Sequence, residues 1–349
     1  MPFEPVQRPL SRIALSAGAI ILSSMAWAAA AQEVSLYTTR EPRLIQPLLD
    51  EFTKDTGVKV NTVFVKDGLI ERVKAEGDKS PADVLMTVDI GNLLDLVEAG
   101  VTQPVDSSVL REAIPENLRG ADNQWYTLSL RDRVAYVAKD LDVGAITYEA
   151  FADPRWKGKV CIRSGQHPYN TALIAAMIAH NGLEATENWL RNVKANLGRK
   201  AAGGDRDVAR DILGGICDIG IANAYYVGRM KNAQPGTDDH KWGEAIKVVR
   251  PTFANEKSRG THVNISGAAV ARHAPHRAEA VKLLEYLVSD KAQSMYAKAN
   301  YEYPVKQGVE LDPVVASFGK LVVDTLPLTE IAKHRKEASE LVDKVGFNN

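Results

Sequence analysis

Two tyrosines stand side by side, Tyr225 and Tyr226, at the end of the apolar run 216–222, and a third, Tyr169, sits in the turn Gly165-Gln-His-Pro-Tyr-Asn170. Neighbouring side chains of a strand point to opposite faces, but in a turn or a first helical turn they need not diverge, so adjacent phenols can face one cleft. Phenolate is a hard anionic oxygen donor, and hard oxygen ligands suit a hard cation such as ferric ion. A bound metal offsets the cost of losing a proton whose free pKa is about 10. The same residues would also line a sugar or peptide groove, or simply pack. Other chemistry finds little support: there is no H-E-x-x-H, no G-x-S-x-G, no phosphate-binding loop and no G-x-G-x-x-G after a strand. The seven histidines are scattered, which disfavours a His/Cys zinc cluster.

The elements that must position these residues alternate strand and helix. Val34 to Tyr37 reads as a strand, followed by a helix that starts near Pro42, buries Leu44, Ile45, Leu48, Leu49 and Phe52, and stops at Gly57. A strand at 58–65, a helix at 69–76, a strand at 82–88 and a helix at 91–99 continue the pattern. A second cycle holds strands at 158–163 and 217–222 with helices at 170–180, 184–197 and 206–213. The turn around Gly203 and Gly204 reads as a helix start capped by Asp205. Between the cycles runs the long extended segment 125–138, matched by a second extended run at 246–253. Two such crossings predict two doubly wound α/β lobes joined by hinge strands, with ligands held beyond the carboxyl ends of the strands. The expected division is a leader at 1–30, a first lobe from 31–130 and 256–304, and a second from 131–255 and 305–349. The tail reads as a helix at 278–298, then helices near 313–321 and 328–345 on the outside of the second lobe.

The chain has 349 residues with 43 basic and 44 acidic side chains, a formal net charge of −1. That length predicts about two domains. The balance removes the basic excess that nucleic-acid binding or polybasic membrane docking requires. Residues 1–31 combine Arg8 and Arg12, a short apolar run from Ile13 to Leu22, and the small-residue stretch Ala26-Trp-Ala-Ala-Ala-Ala31. This is the pattern of a cleaved secretory leader, too short to serve as an anchor, with cleavage after Ala30 or Ala31. No cysteine lies near the cleavage site to take a lipid. Export favours pairing of the two cysteines, Cys161 and Cys217, which sit in strand-like runs. Two inert thiols, or one reactive thiol without a local histidine, are the alternatives.

Seven segments in order resemble the periplasmic ferric-ion-binding proteins, the solute-binding components of bacterial iron ABC transporters. They start at Leu36 (LYTTREP), Pro81 (PADVLMTVD), Leu128 (LSLRDRVAY), Trp156 (WKGKVCIRS), His167 (HPYN), Gly215 (GICDIGIANAYY) and Gly260 (GTHVNISGA). The resemblance implies a type II periplasmic-binding-protein fold, no enzymatic activity and a monomer that docks with an inner-membrane permease and its ATPase. It implies ferric ligands at Tyr225 and Tyr226, and at Tyr169 as in one branch of the family. The histidine that other members carry after the first strand is absent, since Thr39-Arg40-Glu41-Pro42 stands there. The match is therefore to the branch with three tyrosines and a synergistic anion such as carbonate, held by Arg40 and Arg131, with Arg133 a further neighbour. Glu41 and Asp89 are candidates to bind the metal directly or to hydrogen-bond the groups around it, and His262 with Asn264 candidates for ordering the hinge. Two other functions remain open on this fold: capture of phosphate, a phosphonate or a carboxylate by Arg40 and Arg131 without metal, and an enzyme of the kind that polymerises pyrroles on a cysteine-bound cofactor.

Overall fold

The computed structural model describes residues 1–3, 32–254 and 260–349; the expected leader lies almost wholly outside them. From Gln32 onward the chain forms one unit. Its first part runs β1 (Glu33–Thr38), α1 (Pro42–Thr56), β2 (Lys59–Phe64), α2 (Leu69–Glu76), β3 (Val84–Thr87), α3 (Ile90–Glu98), β4 (Thr102–Gln103) and α4 (Ser108–Ala113). Helix α1 forms because Pro42 opens it, Ile45, Leu48, Leu49 and Phe52 bury one face, and Gly57 closes it in a left-handed conformation that glycine adopts freely. Strands β1, β2 and β3 pair in parallel with β1 central.

The strand β5 (Tyr126–Ala138) follows, and then β6 (Val160–Ile162), α5 (Pro168–Asn181), α6 (Leu183–Ala195), α7 (Asp205–Leu213), β7 (Ile219–Asn223), α8 (Tyr225–Lys231), α9 (Asp238–Glu244) and β8 (Ile246–Val249). The chain ends with β9 (Val263–Ala271), α10 (Arg277–Leu287), α11 (Asp290–Asn300), β10 (Tyr303–Pro304), α12 (Pro313–Ala316), α13 (Leu328–Lys333) and α14 (Arg335–Val345). The strand order β2-β1-β3-β9-β5-β7-β6 is that of two parallel α/β sheets sewn together by antiparallel strands. Residues 126–132 of β5 pair with β9, whereas residues 133–137 pair with β7 and 135–138 with β8. One strand thus belongs to both halves of the sheet, and Arg131, Asp132 and Arg133 mark the point where it changes partners.

Three expectations need correction. The segment 278–298 is two helices, α10 and α11, because the Ser289 hydroxyl accepts from the Ala292 N–H and starts a new helix. The segment near 328–345 divides likewise at His334 into α13 and α14, and α13 packs between α5 and α3 instead of lying on the outside of one lobe. The extended run 246–253 supplies β8, which stays with the second half of β5; the return to the first half comes with His262, whose carbonyl accepts from the Arg133 N–H, and β9. Among the described residues no helix is long and apolar enough to cross a membrane.

Candidate metal centre

The three tyrosines come from two strand-to-helix junctions. β6 leads through Ser164 and Gly165 to Tyr169 in the first turn of α5, and β7 leads through Ala224 to Tyr225 and Tyr226 in the first turn of α8. Parallel pairing of β6 with β7 sets the two junctions side by side. The Tyr169 and Tyr225 hydroxyl oxygens lie 3.4 Å apart, and the Tyr225 and Tyr226 rings stack at 4.1 Å between centroids. Tyr225 is buried while Tyr169 and Tyr226 are half-buried. Burial, reinforced by the neighbouring phenols, pushes the Tyr225 hydroxyl well above its usual pKa, and burial with Tyr169 and Asp205 raises that of Tyr226. Both are neutral phenols at neutral pH in the absence of a cation.

The Cys161–Cys217 disulfide ties the same two strands, joining β6 to the residue two before β7, at the end of β7 away from the tyrosine pair. The free thiol that an enzyme on a cysteine-bound cofactor would need is engaged in that bond.

Guanidinium groups surround Tyr169. Arg131 donates to its hydroxyl at 3.3 Å, and the carbons of Arg131, Arg163 and Arg133 lie 5.3, 5.3 and 5.9 Å from its ring centroid. Arg131 is anchored to the first half of the molecule by the carbonyls of Ile265, at 2.7 Å, and Val88. Arg133 is locked by buried Asp205 at 2.6 Å and by Asn170 at 2.6 Å. Asp205 also takes Arg163 and the Asn223 N–H, so its expected role as a helix cap gives way to that of a buried counterion. Gly204 occupies the cap position of α7, and the Asp207 carboxylate accepts its N–H. On the other side of Tyr169, the His167 ring packs edge-on at 4.5 Å and its Nδ1 accepts the Tyr169 N–H. Burial and the Arg163 charge lower His167 to about 3, so it stays neutral.

The remaining expected residues separate. Arg40 is buried, but it is not a free cation: Glu302 takes it in an ion pair at 2.7 Å, Ser266 accepts a further bond, and only its buried Nε lacks a partner. Glu41 is exposed and pairs with Arg43. Asp89 caps α3 through the Asn92 N–H and accepts from Asn264, so both of its oxygens are engaged. Asn264 therefore orders the junction between β9 and α3. His262, by contrast, is buried with no partner at either ring nitrogen. An open cavity of about 540 Å³, lined by Asp89, Gln166, Pro168, Thr171 and residues of α13 and α14, lies against the start of α5, and none of the three tyrosines lines it.

Sequence reading missed Glu302 and Arg163, and it misassigned Asp205. Glu302 lies 262 positions from its partner, and nothing local to Tyr301-Glu302-Tyr303 announces an ion pair. Among the described residues no group of three or more His, Cys, Asp or Glu is placed to hold a metal, so a metal reading rests on the phenols.

Two α/β halves stitched by shared antiparallel strands, with a polar cluster at the strand ends between them, define the class of hinged solute-binding proteins. Residues 79–317 match the family model described as bacterial extracellular solute-binding protein, and the chain belongs to that family. A solved structure of the Bordetella ferric binding protein is 77% identical, with a TM-score of 0.87 over 91% of this chain and 100% of that one. The apo ferric ion-binding protein A of Pasteurella haemolytica is 46% identical, with a TM-score of 0.85 over 91% and 99% of the two chains. Iron uptake protein A1 of Synechocystis is 39% identical over 90% of this chain and 88% of its own.

Proposed function

We propose that this protein is a periplasmic carrier that captures ferric iron with the Tyr169, Tyr225 and Tyr226 phenolates, together with a synergistic anion, and delivers it to an ABC permease and its ATPase. The observation that supports it is the convergence of the three phenols from two strand-to-helix junctions. Three phenolates neutralise a ferric ion and fill half of an octahedral shell; a bidentate carbonate would fill two more positions and bring negative charge that needs a cation. Arg131 is the foremost partner, because it already donates to Tyr169 and its Nε is buried without an acceptor. Arg40 acts from behind Glu302, adding a buried donor but little net charge. The relatives' names support the choice of metal, and those named as periplasmic support the compartment. The leader at residues 1–30 is read as cleaved on export, and the hinge lobes as 31–130 with 256–304 and 131–255 with 305–349. Nothing in the site asks for a reaction: its groups bind a cation and an anion without presenting a nucleophile beside a base.

Ferric phenolate absorbs visible light. Purified protein mixed with ferric salt and bicarbonate is expected to turn coloured, and a protein that stays colourless and shows no bound iron would refute the reading. The buried, unpartnered Nε atoms of Arg40 and Arg131 favour one second reading, capture of a small oxyanion without metal. Calorimetric titration with phosphate or bicarbonate in the presence of an iron chelator separates the two.

A further inference from the structure

Tyr301 is one of two described non-glycine residues with positive φ; it sits at φ 60, ψ 25, where it ends α11 in the left-handed region. That conformation is rare for a bulky side chain and persists only where surrounding contacts hold it. What holds it is α8. The Tyr301 ring lies against Gly228 so closely that a Cβ there would sit 2.6 Å from ring carbons. Gly228 is three residues after Tyr225, one turn along the helix that starts with the tyrosine pair. Asn232 hydrogen-bonds the Tyr301 hydroxyl, and the charges of Asp312 and Arg229 act on it.

The backbone on either side of Tyr301 serves the other part of the site. Glu302 is the buried counterion of Arg40, and both the Tyr301 and Glu302 N–H groups return to the carbonyl of Tyr296, whose ring lies 5.5 Å from the Arg40 guanidinium. Asn300 is pinned to the first half through the Leu44 carbonyl at 3.0 Å, and Tyr303 pairs with Leu130 in the part of β5 that belongs to that half. Tyr301 is therefore anchored on one half of the molecule while its ring rests on a helix of the other.

We propose that Tyr301 is a positioning residue for the ferric site: its ring, seated on Gly228, fixes the first turn of α8 and so ties the Tyr225–Tyr226 pair to the Arg40–Glu302 ion pair across the hinge. The proposal rests on the ferric reading given above. It explains why a tyrosine tolerates a conformation that suits glycine, and why residue 228 has no side chain. The seat is part of the ligand geometry, because a helix free to tilt would let two of the three phenolates drift from the third.

Tyr301→Gly tests this, since glycine adopts positive φ without strain, and the strain relieved offsets the packing and hydroxyl contacts that are lost with the ring. The expected result is an apoprotein whose thermal midpoint is equal to or above wild type, a ferric charge-transfer band shifted or weakened, and a ferric affinity lower by roughly tenfold in competition with a chelator, as for a typical coupling between linked elements. Tyr301→Phe keeps the ring and is expected to bind within about twofold of wild type, an effect too small to count as coupling. A Tyr301→Gly protein with wild-type band and affinity overturns the proposal. So does a loss of affinity accompanied by a lowered apo midpoint, which is what a merely structural role produces. A wild-type protein that gives no band with ferric ion and bicarbonate fails one step earlier: it removes the ferric reading, and this proposal with it.

Discussion

At the scale of single residues, the phenols and the histidine of the hinge behave differently towards protons. Tyr226→Phe removes one hard oxygen donor and keeps the ring that stacks on Tyr225. Ferric affinity is expected to fall by more than about a hundredfold, beyond the range usual for residues that only support a ligand; a chelator-competition titration measures it. His262 makes a separate prediction about stability. Burial, with smaller contributions from Arg133 and His180, lowers its pKa to about 4 against the opposing pull of Asp324. Because the folded pKa is depressed for a base, the unfolded chain binds the extra proton first, and stability falls as pH drops from about 6.5 to about 4, by about 3 kcal/mol over that window. Denaturant midpoints for wild type and His262→Gln across this range are expected to diverge on the alkaline-to-acid descent, the variant losing less. The tyrosine pair was legible in the sequence because its members are adjacent and follow a strand. Glu302 and Asp205 were not, because a buried ion pair is made by tertiary placement, and their arginine partners lie 262 and 72 positions away.

At the scale of elements, β6 and β7 set the distance between the two tyrosine-bearing junctions, and the Cys161–Cys217 bond fixes them. Gly220 lies opposite Cys161 in this pair and has no room for a methyl group, which would meet the Cys161 carbonyl oxygen at 2.4 Å. Replacing both cysteines with alanine is expected to cost about 3 to 4 kcal/mol for a closed loop of this length, read from urea unfolding under oxidising conditions. The same variant should bind ferric ion more weakly, since Tyr169 loses its fixed relation to Tyr225. The alternating strands and helices could be read from periodicity because each buries one face. The break at Ser289 and the division at His334 could not, since the first is made by a single hydroxyl cap and the second has no side-chain cap to announce it.

For the molecule as a whole, closure and proton release should accompany metal capture. On the ferric reading Tyr225 and Tyr226, which burial holds as neutral phenols, ionise when the metal binds, so affinity is expected to rise with pH and unbuffered protein to release protons, with any given off by the anion added and any taken up subtracted. Potentiometric titration at constant pH counts them. The three phenols stand on the second half and Arg40 on the first, so on the ferric reading an anion held between them would favour the closed form by its differential contacts, and small-angle scattering should show a smaller radius of gyration with ferric ion and bicarbonate than with either alone. The two-lobed plan was legible in the long extended run at 125–138, which became β5; what periodicity could not reveal was which later strand would lie against it.

That later strand is β9, placed between β3 and β5 in the sheet although more than 120 residues follow β5 before it begins. A growing chain therefore holds the first three strands and β5 while more than 120 further residues are made before the strand that joins them. Local β-α-β pieces can form early, but the first half cannot complete its sheet until residues 263–271 are present, and such distant pairings are slow to close. The order of strands that joins the two halves thus also makes completion of the first half's sheet depend on a segment made late in the chain.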